Sequence, residues 1–125
     1  MISIAGPFNT GAAVGADGSA TINVDTPHVI QGIIRGVAVK YAGDKPATAD
    51  VTIKGKGTTC PSKPIITITD GNTDGWFFPK EIIDGTDGAA IAANYTDIAI
   101  CDYVNIAVAQ TNTGDSVEAW LLLEN

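Results

Sequence analysis

The stretch Val104-Asn105-Ile106-Ala107-Val108-Ala109-Gln110-Thr111-Asn112-Thr113-Gly114-Asp115-Ser116-Val117-Glu118-Ala119-Trp120-Leu121-Leu122-Leu123-Glu124 decides the fold class. Val104, Ile106 and Val108 alternate with Asn105, Ala107 and Ala109, and Val117, Ala119, Leu121 and Leu123 alternate with Glu118, Trp120, Leu122 and Glu124. Successive side chains of a strand point to opposite faces, so a period of two with one apolar set describes a strand whose one side lies in a core. Thr111 to Asp115 holds the Asn, Gly and Asp that a tight reversal needs, which predicts a hairpin.

Outward from this hairpin the same alternation recurs. Ala20, Ile22 and Val24 oppose Thr21, Asn23 and Asp25, and Thr26-Pro27-His28 ends that strand. From Val29 to Tyr41, Ile33, Val37 and Val39 fall on one face and Ile34, Gly36 and Ala38 on the other; both are apolar, as in a central strand, with Arg35 as an anomaly. After the turn Ala42 to Pro46, Val51 and Ile53 alternate with Asp50, Thr52 and Lys54 in an edge-type pattern. Gly55 to Pro64 reads as loop, Ile65 to Thr69 as a short strand, Asp70 to Gly75 as loop, and Trp76-Phe77-Phe78 as the start of another strand before Pro79. Asp84 to Gly88 is a turn, and Ala89 to Ala93 is the one place for a single helical turn. Residues 1–18, rich in Gly and Ala, predict an arm or loop, leaving 19–125 as the domain. About eight strands at this spacing predict an all-β chain, a single jelly-roll-like sandwich of two antiparallel sheets.

Composition agrees. The 125 residues are 45% hydrophobic and 17% charged, which excludes charge-driven disorder, and Ile and Val outnumber Leu, whose only copies are Leu121 to Leu123. A net charge of −7 argues against nucleic-acid binding, which needs a basic footprint. Met1 to Phe8 has no basic leader and is broken by Gly6 and Pro7, so no secretory signal is expected. No apolar run nears the ~18 residues of a membrane span, so a soluble chain with no membrane partner is expected. One Cys60–Cys101 disulfide is arithmetically allowed; two reduced thiols are the expectation. Arg35 to Lys63 hold nearly all the basic groups while the rest of the chain is acidic. That order fits either two opposed surfaces or charges that mix on folding.

Chemical motifs are few. Asp70-x-Asn72-x-Asp74-Gly75 followed by Glu81 matches a calcium-loop spacing. Its flanks, Pro64-Ile65-Ile66-Thr67-Ile68-Thr69 and Pro79, are wrong for helix–loop–helix, leaving at most a looser loop between strands. His28 is the sole histidine, and none of the four serines lies in a nucleophile elbow. A Cys60–His28 pair is the one nucleophilic combination to weigh against a loop cysteine and a loop histidine. No phosphate or dinucleotide fingerprint occurs, so neither enzyme activity, cofactor nor metal is expected.

The aromatics say more. In an extended Trp76-Phe77-Phe78, Trp76 and Phe78 share one face and Phe77 takes the other; Trp120 and Leu122 lie opposite the apolar face of their own strand. One sandwich core covers only one of each pair of faces, so Trp76, Phe77, Phe78, Trp120 and Leu122 are the candidate interface, unless loops or the N-terminal arm cover them.

Gly32-Ile33-Ile34-Arg35-Gly36-Val37-Ala38-Val39-Lys40-Tyr41, Ala49 to Ile53, Ile66 through Lys80, Asp87 to Ala90, Tyr103 to Gln110 and Val117 to Leu121 together resemble the small head-associated β proteins of tailed bacteriophages, of the decoration (cement) or auxiliary capsid type. The similarity is one of segment style and order and covers most of the chain after residue 30. It implies a structural virion protein on the capsid surface, made in the host cytoplasm. It also implies a homo-oligomer, often a trimer, seated on the major capsid protein, with no catalytic residues and an arm that crosses to a neighbour. Head-completion or tail proteins are the nearest relative reading, and a calcium- or carbohydrate-binding β module is the alternative from another class.

Overall fold

A computed structural model describes residues 1–125. Ten strands form: β1 (Ile2–Asn9), β2 (Ala20–Asp25), β3 (Ile30–Ala42), β4 (Asp50–Gly55), β5 (Pro64–Ile68), β6 (Gly75–Phe77), β7 (Lys80–Asp84), β8 (Ala90–Asp102), β9 (Val104–Thr111) and β10 (Ser116–Glu124). One sheet runs β1-β10-β3-β8-β7, with β6 also paired to β3; the other runs β2-β9-β4-β5, and every pairing is antiparallel. With β6 and β7 set aside, consecutive strands alternate between two four-stranded sheets except for the β4–β5 hairpin, which stays within one, and this is jelly-roll connectivity. The fold class is the one the alternation predicts.

Ile34, Val37, Val39 and Tyr41 of β3 meet Val117, Ala119, Leu121 and Leu123 of β10 and, from the facing sheet, Val51, Ile53, Val104, Ile106 and Val108 in one core. β-branched side chains fill such a pleated interior well, each stabilising the fold by about 1.5–3 kcal/mol on burial.

Several expectations are corrected. Residues 2–9 are no free arm: β1 pairs with β10 along its length, Phe8 entering the core. The following segment folds onto the β9–β10 turn through Ala13 N–H to Asp115 O, Gly114 N–H to Ala13 O and Gly18 N–H to Thr111 O. Ala90 to Ala93 lies in strand β8 rather than in a helical turn: Ala90 pairs with Asp84 of β7, and a register shift follows, with Ala93 at φ +61°, before Tyr95 pairs with Ile82. β4 is internal, flanked by β9 and β5, and its polar residues Thr52 and Lys54 line the outer side of that sheet. Ile34 rather than Ile33 enters the core: a register shift between Leu122 and Leu123 leaves Arg35 as an extra residue, inverting the face order below it.

Candidate functional site

Strand parity builds an apolar outer face on the first sheet. Along β10, Trp120 and Leu122 are half-buried and point away from the core. Trp120 lies opposite Ala38 of β3, which in turn lies opposite Trp76 of β6; Leu122 lies opposite Gly36 on one side and Ile4 of β1 on the other. Small residues at 36 and 38 make a low floor between two aromatic walls. The rings lean onto glycines: a Cβ on Gly36 would stand 3.2 Å from Cε1 of Phe78, and one on Gly6 would stand 3.2 Å from Cδ1 of Trp120. Such glycine–aromatic seating covers backbone that no side chain shields. Trp76 at 50%, Phe78 at 64% and Ile4 at 59% remain exposed.

Of the five candidate interface residues, four share this face. Phe77 does not, and its assignment is corrected: opposite Val37, it packs against the core. Ile4 is the member that sequence reasoning missed, because the Gly- and Ala-rich character of residues 1–18 reads as an arm and the short Ile2-Ser3-Ile4 alternation is broken at Gly6-Pro7.

Charges border the face at one end. Arg35 Nη1 donates to Asp97 Oδ2 at 2.7 Å and stands 3.3 Å from Glu124, while Lys80 Nζ also donates to Asp97. The hydrogen bond from Lys80, with the positive charge of Lys80 and Arg35, holds the Asp97 carboxyl below its ordinary value despite some desolvation. Arg35, anomalous in the sequence, is thus the bulged residue of β3 paired across the sheet. Lys56–Asp25 at 2.6 Å and Lys63–Glu81 at 2.9 Å likewise join the basic middle of the chain to acids on other strands, so the charges mix on folding.

The remaining candidates do not converge. Asp74 Oδ1 accepts from the Tyr41 N–H, Asn72 Nδ2 donates to Lys45 O, and Glu81 is held by Lys63, so the calcium-spaced residues face different partners. No group of three His, Cys, Asp or Glu side chains is placed to hold a metal ion. His28 lines an open cleft of about 690 Å³ between edge strands β1 and β2, with Ile4, Pro7, Phe8 and Asp25. Cys60 lies elsewhere: Thr59 Oγ1 donates to the Cys101 carbonyl, and both thiols are free and exposed. No hydrogen bond links His28 to Cys60.

No family model and no curated protein matches the chain. Three solved structures are similar at a distance. A mutant of the family 29 carbohydrate-binding module CBM29-2 aligns with TM-score 0.44 and 8% identity over 99% of this chain and 85% of that one. A CBM32 of AlyQ in complex with 4,5-unsaturated mannuronic acid gives 0.44 and 8% over 100% and 95%. FLHE gives 0.41 and 12% over 99% and 95%.

Proposed function

We propose that this protein is a non-catalytic structural protein that docks through the outer face of its first sheet onto another protein surface, as a decoration protein does on a capsid shell. One observation carries the reading: Trp76, Phe78, Trp120, Leu122 and Ile4 form a contiguous apolar face, with two large aromatics half or more exposed, on a small acidic domain. Monomeric soluble proteins seldom leave such a patch uncovered, and aromatic side chains with few central charges typify the core of protein interfaces. The segment resemblance to phage head-associated proteins supports the same reading, although none of the three similar structures is described as a capsid protein. Affinity then comes from buried area and from many weak contacts on a repeating lattice.

A second reading has its own support. Trp76 and Phe78 stand on a sheet face beside Arg35, Lys80 and Asp97, and exposed rings beside polar groups also suit a sugar. Those polar groups are engaged with one another, which leaves few free to meet hydroxyls and favours the protein surface.

Co-sedimentation with undecorated capsids of the source virus, beside a glycan array, tests both. Binding to shells that is lost in Trp76→Ala and Phe78→Ala supports docking. No shell binding, or shell binding unchanged in both variants, overturns it, and glycan binding sensitive to the same substitutions establishes the second reading instead.

A further inference from the structure

The loop between β4 and β5 is closed at its neck and laid along β8. Gly55 N–H donates to Lys63 O at 2.7 Å and Ser62 Oγ to Gly55 O at 2.6 Å, which shuts residues 56–63 into a compact surface loop. Beyond Asp97, β8 has β3 on one side and no strand on the other, and the loop takes that free side. Lys56 N–H donates to Tyr103 O at 2.8 Å, Gly57 N–H to Asp102 Oδ2 at 2.7 Å, Thr59 Oγ1 to Cys101 O at 2.8 Å and Lys63 Nζ to Ala99 O at 3.2 Å.

This path brings the two cysteines of the chain together. Asp102 is buried and points inward, so by strand parity Cys101 points to the outer side, where it is exposed. The loop meets the inward Asp102 carboxylate at Gly57 and the edge carbonyl of Cys101 at Thr59. It therefore climbs from the inner side of the sheet to its edge, and Cys60 is the next residue on that path. The Thr59 hydroxyl that holds the Cys101 carbonyl also stands 3.9 Å from Cys60 Sγ, so one side chain touches both cysteines.

We propose that Cys60 and Cys101 form a reversible disulfide that pins this loop to β8, closed by thiol–disulfide exchange with a small disulfide such as oxidised glutathione. The thiolate of one cysteine attacks a glutathione sulfur to give a mixed disulfide, and one glutathione leaves and takes up a proton. The thiolate of the other cysteine attacks the protein sulfur of that mixed disulfide and releases the second glutathione. The two protein thiols thus give up two protons and two electrons, which leave as two molecules of reduced glutathione. Both sulfurs are exposed, so the reagent reaches them. Only the loop tip has to move to meet disulfide geometry, since the neck and the bonds to Asp102 and Tyr103 are already in place. The folded chain holds the two segments side by side, whereas the unfolded chain must first bring them together, so the bond favours the folded state. The pairing does not depend on what the outer face of the first sheet binds.

The test is equilibration of the full chain in glutathione redox buffers, read by intact mass, by mapping of the linked peptide and by thermal melts. The chain should lose two hydrogens as a monomer with Cys60 joined to Cys101, melt about 5 °C or more above its reduced form, and return to the reduced melt with dithiothreitol. At equal glutathione ratio, the bond should be favoured about tenfold or more in the folded chain over the chain in urea. Cys60→Ser and Cys101→Ser should each abolish the crosslink and the rise while melting as the reduced parent does, because both side chains are exposed. A bond formed only between chains, glutathione held separately on both thiols, or a crosslinked monomer that melts no higher than the reduced chain overturns the proposal.

Discussion

The indole of Trp120 is seated on Gly6. Gly6 has a φ of +122°, and a Cβ there would stand 2.8 Å from the carbonyl oxygen of Ala119 and 3.2 Å from Cδ1 of Trp120. The edge strand β1 and the outward ring of β10 are therefore fitted to each other, and the ring is half-buried because of it.

Gly6→Ala should destabilise the fold by about 2 kcal/mol, since the new methyl meets backbone as well as ring and the φ is unfavourable for an L residue. Urea denaturation reads the loss. In a Trp76→Phe background, native-state emission should shift to the red as Trp120 lifts from β1; an unshifted spectrum would mean the ring does not depend on this seat.

Parity along Trp76-Phe77-Phe78 separates the outer face from the core. Phe77→Ala should cost about 2 kcal/mol, less than the ~3–5 kcal/mol of a fully buried ring, because Phe77 is only partly enclosed. Trp76→Ala and Phe78→Ala should change the denaturation midpoint little. Equal losses at all three positions would contradict the face assignment.

Asp115 organises the turn that the sequence marks most clearly. Its carboxylate accepts from Thr111 Oγ1 at 2.6 Å, Asn112 N–H at 3.0 Å and Asp44 N–H at 2.7 Å. Asp115→Ala should cost about 3 kcal/mol by stranding these donors. Gly43→Ala should harm the same turn from the other side, because at φ +101° its Cβ would collide with Asp115 Oδ1. Thermal melts of both variants provide the measurement.

Acid should unfold the protein through its buried carboxylates. Burial raises the Asp115 and Asp102 carboxyls, but hydrogen bonds to Asp115 from Thr111, Asn112 and Asp44, and to Asp102 from the Gly57, Thr59 and Tyr103 amides, outweigh it and hold both below the ordinary value. A depressed folded-state value stabilises above the unfolded one, near ~3.9, and that contribution is lost as pH falls through the lowered folded value. Melting temperature, insofar as these groups set it, should be flat from neutral pH to about 5 and fall below about 4. In Asp115→Asn the acid limb should be shallower; an equally steep limb would assign the transition to other carboxyls.

Strands that face the core on one side were readable from their period: β2, β9 and β10 stand where Ile22, Val108 and Leu121 place them. β1 and the far half of β8 were not. In β1 the inward residues Ala5 and Phe8 are separated by Gly6-Pro7 and the rest of the first eighteen residues is Gly- and Ala-rich, while Ile91 and Tyr95 lie over no core and Ala89 to Ala93 carries too little side chain to distinguish strand from helix. The bulge at Arg35 escaped because an inserted residue in a strand apolar on both faces leaves both readings apolar. The outer face was legible in four of its members, since Trp120 and Leu122 interrupt a polar register and Trp76 and Phe78 bracket an inward Phe77.

The alternation of β10 also divides how the protein can change. Substitutions at Val117, Ala119, Leu121 and Leu123 act on the core, whereas those at Glu118, Trp120, Leu122 and Glu124 act on the half-buried outer face. A mutational scan scored separately for abundance and for binding should show these two sets interleaved residue by residue. The outer side of this one strand can then drift in sequence while the other side keeps the fold.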